Sequence, residues 1–163
     1  MKKTGFTLAE ILISIAIIGV VAAISLPTLG TSAKKQANEA KLKVVISDLE
    51  NAFSTMITSE VTERLQETKA WDDSDSEFIE EYSKYLKITS TETGNYGGAA
   101  FTTKNGALVE IIRDSSVDND GHIGYVHIDV NGKDKPNKIN IDMFECYLDQ
   151  YGMLEVAEEE LPE

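Results

Sequence analysis

The sequence predicts an α+β fold: one long amino-terminal helix, a short second helix and a small antiparallel β-sheet. Three observations carry the prediction. Ile11 to Leu29 is an uncharged, predominantly apolar run. Lys34 to about Lys69 holds neither proline nor glycine and repeats apolar residues at helical spacing. Beyond Ala99 the apolar period shortens to two around an Asn-Gly pair.

The chain has 163 residues, enough for one domain and an appendage. Its 15 lysines and arginines face 28 aspartates and glutamates, a formal charge of −13. That balance argues against nucleic acid as a partner, since phosphates demand a basic footprint. Cys146 is the single cysteine, so no intrachain disulfide and no Cys-rich zinc site can form.

The first element is the apolar run. From Thr4 to Ala33 the only ionisable side chain is Glu10. About 20 apolar residues at 1.5 Å rise span the roughly 30 Å hydrocarbon core of a bilayer, so the run reads as a transmembrane helix. A secretory signal peptide fits less well, because the run is longer than an ordinary h-region and no A-x-A-like site closes it. Glu10 is the anomaly. A carboxylate in an apolar stretch costs free energy, about 2.5–3.5 kcal/mol for a central aspartate on insertion scales. Neither a signal peptide nor a plain anchor gains from it; a cation met in an apolar setting would account for it.

Lys3-Thr4-Gly5-Phe6-Thr7-Leu8-Ala9-Glu10 and the apolar run after it resemble the amino-terminal signal of type IV prepilins and type II secretion pseudopilins. The resemblance covers about 30 residues. It implies cleavage by a prepilin peptidase between Gly5 and Phe6 and methylation of the new Phe6 amino terminus. It also implies that Glu10 meets the amino-terminal nitrogen of a neighbouring subunit, and that Pro27 bends or locally melts the helix, as loss of an i→i−4 bond would require. Lys34, Lys35, Lys41 and Lys43 follow the run while only Lys2 and Lys3 precede it. The positive-inside count therefore points the opposite way from the family's cytoplasmic amino terminus; the motif is the more specific signal. The expected organisation is a leader at 1–5, a transmembrane and assembly helix at 6–33, a pilin-like extracytoplasmic head at 34–154 that includes the amphipathic half of the long helix, and an acidic tail at 155–163.

In that amphipathic half, Val45, Leu49, Ala52, Phe53, Met56 and Ile57 form one stripe. Ser74-Asp75-Ser76-Glu77 has capping-box spacing and precedes Phe78, Ile79, Tyr82 and Leu86 on one face, predicting a short helix. Thr89 to Gly98 reads as a polar loop. Ala99–Thr103 and Ala107–Ile112 flank Lys104-Asn105-Gly106 as a hairpin. Tyr125 to Val130 alternates, with Val126, Ile128 and Val130 on one face and Tyr125, His127 and Asp129 on the other. His127 reads as an outward strand residue and His122 as a turn residue, neither with a visible catalytic partner. Glu155 to Glu163 reads as a frayed, solvated tail.

Asp129, Asn131, Gly132, Pro136, Asn137, Asp142 and Phe144 follow the order of a motif in some pseudopilin-like heads, a second and looser resemblance. Lys135 and Asn140 stand where glycine is common, and asparagine tolerates the left-handed region better than lysine. Some heads of this kind bind calcium here, which implies a candidate calcium region at Asp118, Asp120, Asp129, Asp134 and Asp142. An EF-hand register centred on Gly121 fails, because Ser116 and His127 fall where Asp and Glu are required. Polar turns built from Asp, Asn and Gly are the plain alternative.

The expectation is a structural subunit of a type IV pilus or secretion pseudopilus, assembled with other such subunits through its helix, without cofactor or catalytic residues. It would reside in the inner membrane with an extracytoplasmic head, then in a periplasmic or cell-surface filament. The competing reading is a membrane-anchored extracytoplasmic binding or sensing module, which leaves Gly5, Phe6 and Glu10 unexplained. An enzyme is the weakest reading, since no Ser/His/Asp set, phosphate-binding glycine loop or metal-ligand spacing is present.

Overall fold

A computed structural model describes residues 7–114 and 116–157, the side chains of 24–32 excepted. Helix α1 spans Leu8–Glu60, and the chain divides into two parts, 1–37 and 38–163.

In the first part α1 exposes apolar side chains all round. Leu12, Ile13, Ile15, Ile17 and Ile18 are each 59–67% exposed, and at 100° per residue these positions cover every side of the helix. Among the described residues no helix is long and apolar enough to cross a membrane. The described side chains of the run stop at Ala23 and resume at Ala33. The helix continues through position 27, and the Pro27 side chain lies outside the described residues.

In the second part α1 is amphipathic. Leu42, Val45, Leu49, Ala52, Phe53 and Met56 are buried on one stripe, as the spacing predicts, with Ile57 at its half-buried border. The helix ends at Glu60 rather than near Lys69. Val61 takes φ 57°, and the Val61 and Thr62 amides donate to the carbonyls of Thr58 (3.2 Å) and Ile57 (3.1 Å). This is a Schellman stop with valine where glycine is usual. Tertiary contact draws the next segment away: Leu65 is fully buried in a 3-10 turn (Leu65–Glu67), and its amide donates to the Gln150 carbonyl at 2.8 Å. No local breaker announces this, so the sequence reading ran the helix too far.

Helix α2 spans Asp75–Tyr82. The Ser74 hydroxyl accepts the Glu77 amide while the Glu77 carboxylate accepts the Ser74 amide, the reciprocal cap that the sequence predicts. Phe78, Ile79 and Tyr82 are buried, as is Leu86 just beyond the helix.

Six strands follow: β1 Ile88–Glu92, β2 Ala99–Thr103, β3 Leu108–Arg113, β4 His122–Asp129, β5 Met143–Asp149 and β6 Leu154–Val156. They form one antiparallel sheet in sequence order. The β2–β3 hairpin turns through Lys104-Asn105-Gly106 as expected, with Gly106 left-handed at φ 81°. Two expectations are corrected. The segment read as a loop from Thr89 holds edge strand β1, whose polar side chains hide a backbone paired to β2. The segment read as a frayed tail begins as edge strand β6, paired to β5 through Val156. Both are pairings between sequence-adjacent strands, made by backbone groups beneath polar or short segments whose side-chain pattern does not encode them.

The core lies where the α1 stripe and α2 meet the sheet, around four aromatic rings. Tyr82 stacks between Phe53 (4.9 Å) and Phe78 (5.5 Å) and leans on Phe101 (5.9 Å). The buried Tyr82 hydroxyl donates to the Leu49 carbonyl at 3.1 Å, and burial raises its pKa well above that of a free phenol. Arg113 ties the α1–α2 connection to β3. Its guanidinium donates to the carbonyls of Ala70, Trp71 and Asp73 and to the Asp75 carboxylate, at 2.7–2.9 Å. It also lies 4.4 Å from the centre of the Phe78 ring.

Candidate functional site

Gly5 and Phe6, the expected cleavage site, lie outside the described residues. Glu10 lies within them, at the start of α1. Oε2 of Glu10 accepts the Thr7 amide at 2.7 Å and the Thr7 hydroxyl at 2.8 Å, while the Glu10 amide donates back to the Thr7 hydroxyl oxygen at 3.3 Å. The Ile11 amide donates to the Thr7 carbonyl at 3.3 Å. Thr7 is therefore the N-cap of α1 and Glu10 its N3 partner, a capping box. Even within a single chain the carboxylate has a function: it satisfies donors that a helix start leaves orphaned. The signal was available, since Thr7-Leu8-Ala9-Glu10 has the same spacing that identifies Ser74 and Glu77.

The candidate calcium region separates into two places. Asp118 and Asp120 lie in the β3–β4 connection, whereas Asp129 ends β4 and Asp142 precedes β5. From His122 to Asp129 the extended strand covers about 23 Å, so the two groups cannot share an ion. In the first group, ligand atoms of Asp118, Asp120 and His122 lie within 4.8 Å of one another. Asp118 Oδ1 accepts the amides of Asp120 (2.9 Å) and His122 (2.8 Å), which holds its pKa below the usual aspartate value. This is an Asx turn that closes by itself.

In the second group amide donors already engage the carboxylates. Asp142 is fully buried and accepts the side-chain amide of Asn131 (3.1 Å) and the backbone amides of Asn137 (2.9 Å) and Lys138. Those donors occupy Asp142, while Asn131 Oδ1 is buried without a hydrogen-bond partner among the described residues. Asp129 accepts the Asn131 amide (3.2 Å) and the Asn137 side chain (3.3 Å), and burial, reinforced by Asp142, raises its pKa to about 6. Asp134 is exposed on the same loop. Asn137 and Asn140 take the left-handed region at φ 50° and 58°, whereas Lys135 does not. The loop is thus wound around Asp142 by hydrogen bonds.

Both histidines have carboxylate partners. His122 opens β4, with Nδ1 3.1 Å from Asp118 Oδ2 and its ring stacked on Tyr147. His127 Nε2 lies 2.8 Å from Glu145 Oε2 on the adjacent strand, and Tyr96 meets the imidazole edge-on. His127 Nδ1 is buried without a hydrogen-bond partner among the described residues. The pair borders a cavity of about 310 Å³ walled by Tyr96, Ile128, Ile139, Met143 and Phe144. The carboxylate at its floor, Glu110, accepts the amides of Asn95, Tyr96 and Gly98 and is committed to that loop. Among the described residues no serine, threonine, cysteine or lysine lines the cavity.

Residues 1–26 match the prokaryotic N-terminal methylation motif, the prepilin-type signal of type IV pilins and pseudopilins. No curated protein matches the chain. The signal marks a pilin-like or pseudopilin-like precursor, implies processing by prepilin peptidase and assembly with other pilin subunits, and implies a structural subunit rather than an enzyme.

Proposed function

We propose that this chain is a structural subunit of a type IV pilus or type II secretion pseudopilus. Prepilin peptidase cleaves it between Gly5 and Phe6 and methylates Phe6. Before assembly it is held in the inner membrane by the run Ile11 to Leu29, with the head on the extracytoplasmic side. One observation carries the reading: the methylation motif at residues 1–26 leads into a helix that leaves apolar side chains exposed on every side. Such a helix is stable only in lipid or against other apolar helices. Burial at about 25 cal/mol per Å² of apolar surface supplies the drive for assembly.

Electrostatics shapes the rest. Removal of residues 1–5 leaves 13 basic against 28 acidic residues, a charge of −15. Heads of like charge repel, so helix packing and local pairing must outweigh that repulsion, and assembly should respond to salt. In the filament Glu10 exchanges its Thr7 cap for the methylated amino terminus of a neighbouring subunit. A misregistered subunit keeps the cap and forgoes the ionic contact.

Mass spectrometry of the mature protein tests this reading. It predicts a chain that begins at Phe6 and carries one methyl group. An intact Met1 terminus in cells with active prepilin peptidase overturns it. The cavity beside His127 favours a second reading, a membrane-anchored binding module, and that terminus is the result it requires.

A further inference from the structure

We propose that the β4–β5 loop of the head rests on the anionic headgroups of the bilayer, with Lys41, Lys135 and Lys138 on lipid phosphates and Ile139 in the interface. The inference rests on the reading of Ile11 to Leu29 as a membrane span.

The charge distribution singles this loop out. The chain carries nearly two acids per base, yet residues 131–141 hold three lysines and one acid, Asp134. Lys133 is engaged by Glu92 at 2.9 Å. Lys41, Lys135 and Lys138 are exposed and make no ion pair among the described residues. Between them Ile139 is 72% exposed and Ile141 38%. Lysines flanking an exposed isoleucine suit an anionic interface, where the ammonium groups meet phosphate and the apolar side chain enters the acyl boundary.

Connectivity places the loop within reach. The Asn38 side chain donates to the Ile141 carbonyl at 2.9 Å, and Lys41 follows one helical turn later. Asn38 comes nine residues after Leu29, so even fully extended chain would hold it within about 30 Å of the end of the apolar run. The loop is also built to present these side chains. Asp142 gathers Asn131, Asn137 and Lys138 from inside, and left-handed Asn137 and Asn140 bracket Lys138 and Ile139. This reading also gives a role to Lys41, one of the four lysines that oppose the positive-inside rule.

The test uses the full-length chain with Ile139→Cys, spin-labelled and reconstituted into phosphatidylcholine vesicles with or without phosphatidylglycerol. Cys146 is buried and its thiol pKa is raised to about 12, so labelling is confined to position 139. With phosphatidylglycerol, accessibility of the label to a water-soluble relaxation agent should fall about fivefold, the worth of one lysine at an anionic surface. Lys41→Gln, Lys135→Gln and Lys138→Gln together should restore it. Equal accessibility in both vesicles overturns the proposal. So does protection that follows protein density instead of lipid charge, which would assign the loop to a second copy of the chain. Flotation separates the premises: a chain that floats with both vesicle types keeps the span whatever the label reports. One that fails to float with pure phosphatidylcholine defeats the span and this proposal with it.

Discussion

Thr7 and Glu10 cap each other across the first turn of α1, with the Glu10 carboxylate accepting two hydrogen bonds from Thr7 within 2.8 Å. The residue expected to seek a partner on another subunit already has one in its own chain. A capped carboxylate is pre-oriented, and it can be exchanged toward a cation without first being ordered.

Glu10→Ala should therefore leave cleavage at Gly5/Phe6 intact while impairing filament assembly or methylation of Phe6. Thr7→Val, which removes only the hydroxyl, should weaken the helix start by about 1 kcal/mol and leave assembly possible. Immunoblots for processing and microscopy of sheared filaments check both. Normal filaments from Glu10→Ala would remove the pairing role.

Val61 offers a stabilising substitution. It is 91% exposed and sits at φ 57°, a region that a β-branched residue enters at a cost of about 1–2 kcal/mol. Val61→Gly should raise unfolding stability by about 1 kcal/mol, since no packing is lost and the Schellman bonds remain. A urea titration with a higher midpoint and unchanged slope is the expected result.

Arg113 should be costly to replace. Arg113→Lys keeps the charge but loses the fork that reaches three carbonyls and the stacking on Phe78, and should destabilise by about 2–3 kcal/mol. Asp75→Ala removes only the ion pair, whose carboxylate is 48% exposed, and should cost less than about 1 kcal/mol. Thermal melts of the two variants, side by side, distinguish a carbonyl clamp from a salt bridge.

Stability should depend on pH in two opposed ways. Asp129 titrates near 6 in the folded chain and near 3.8 when unfolded, so the folded state binds the extra proton between those values. Its contribution is fully favourable below pH 3.8 and is lost as pH rises through 6. Glu77 and Asp118 are held low by hydrogen bonds to their carboxylates, and Glu92 by its contact with Lys133 and then by Ser90. Their contribution is present above the unfolded values and lost as pH falls through the folded ones. Stability should peak between about pH 4 and 6, and Asp129→Asn should flatten the decline above the peak. A decline that survives Asp129→Asn would assign it elsewhere.

Chelation tests the remaining metal question. The Asp118 turn closes through its own amides, and Asp142 is ringed by donors. Melting curves in calcium and in excess chelator should therefore coincide, and a lower melting temperature on chelation would show that the head binds an ion.

Local signals fixed much of this protein in advance. The stripe from Val45 to Met56, the Ser74–Glu77 cap, the turn at Asn105-Gly106 and the alternation from Tyr125 to Val130 were all legible because their causes lie within a few residues. The Thr7–Glu10 cap is equally local, with the same Thr-x-x-Glu spacing within one turn. Tertiary structure alone decided where α1 stops, that β1 and β6 pair as edges, that Arg113 clamps the connection before α2, and that Asp129 and Asp142 share a loop far from Asp118. The stop of α1 and the Arg113 clamp depend on groups distant in sequence, such as the Gln150 carbonyl that receives Leu65. Backbone amides and carbonyls are the same in every residue, so no side-chain pattern can say which distant partner will satisfy them.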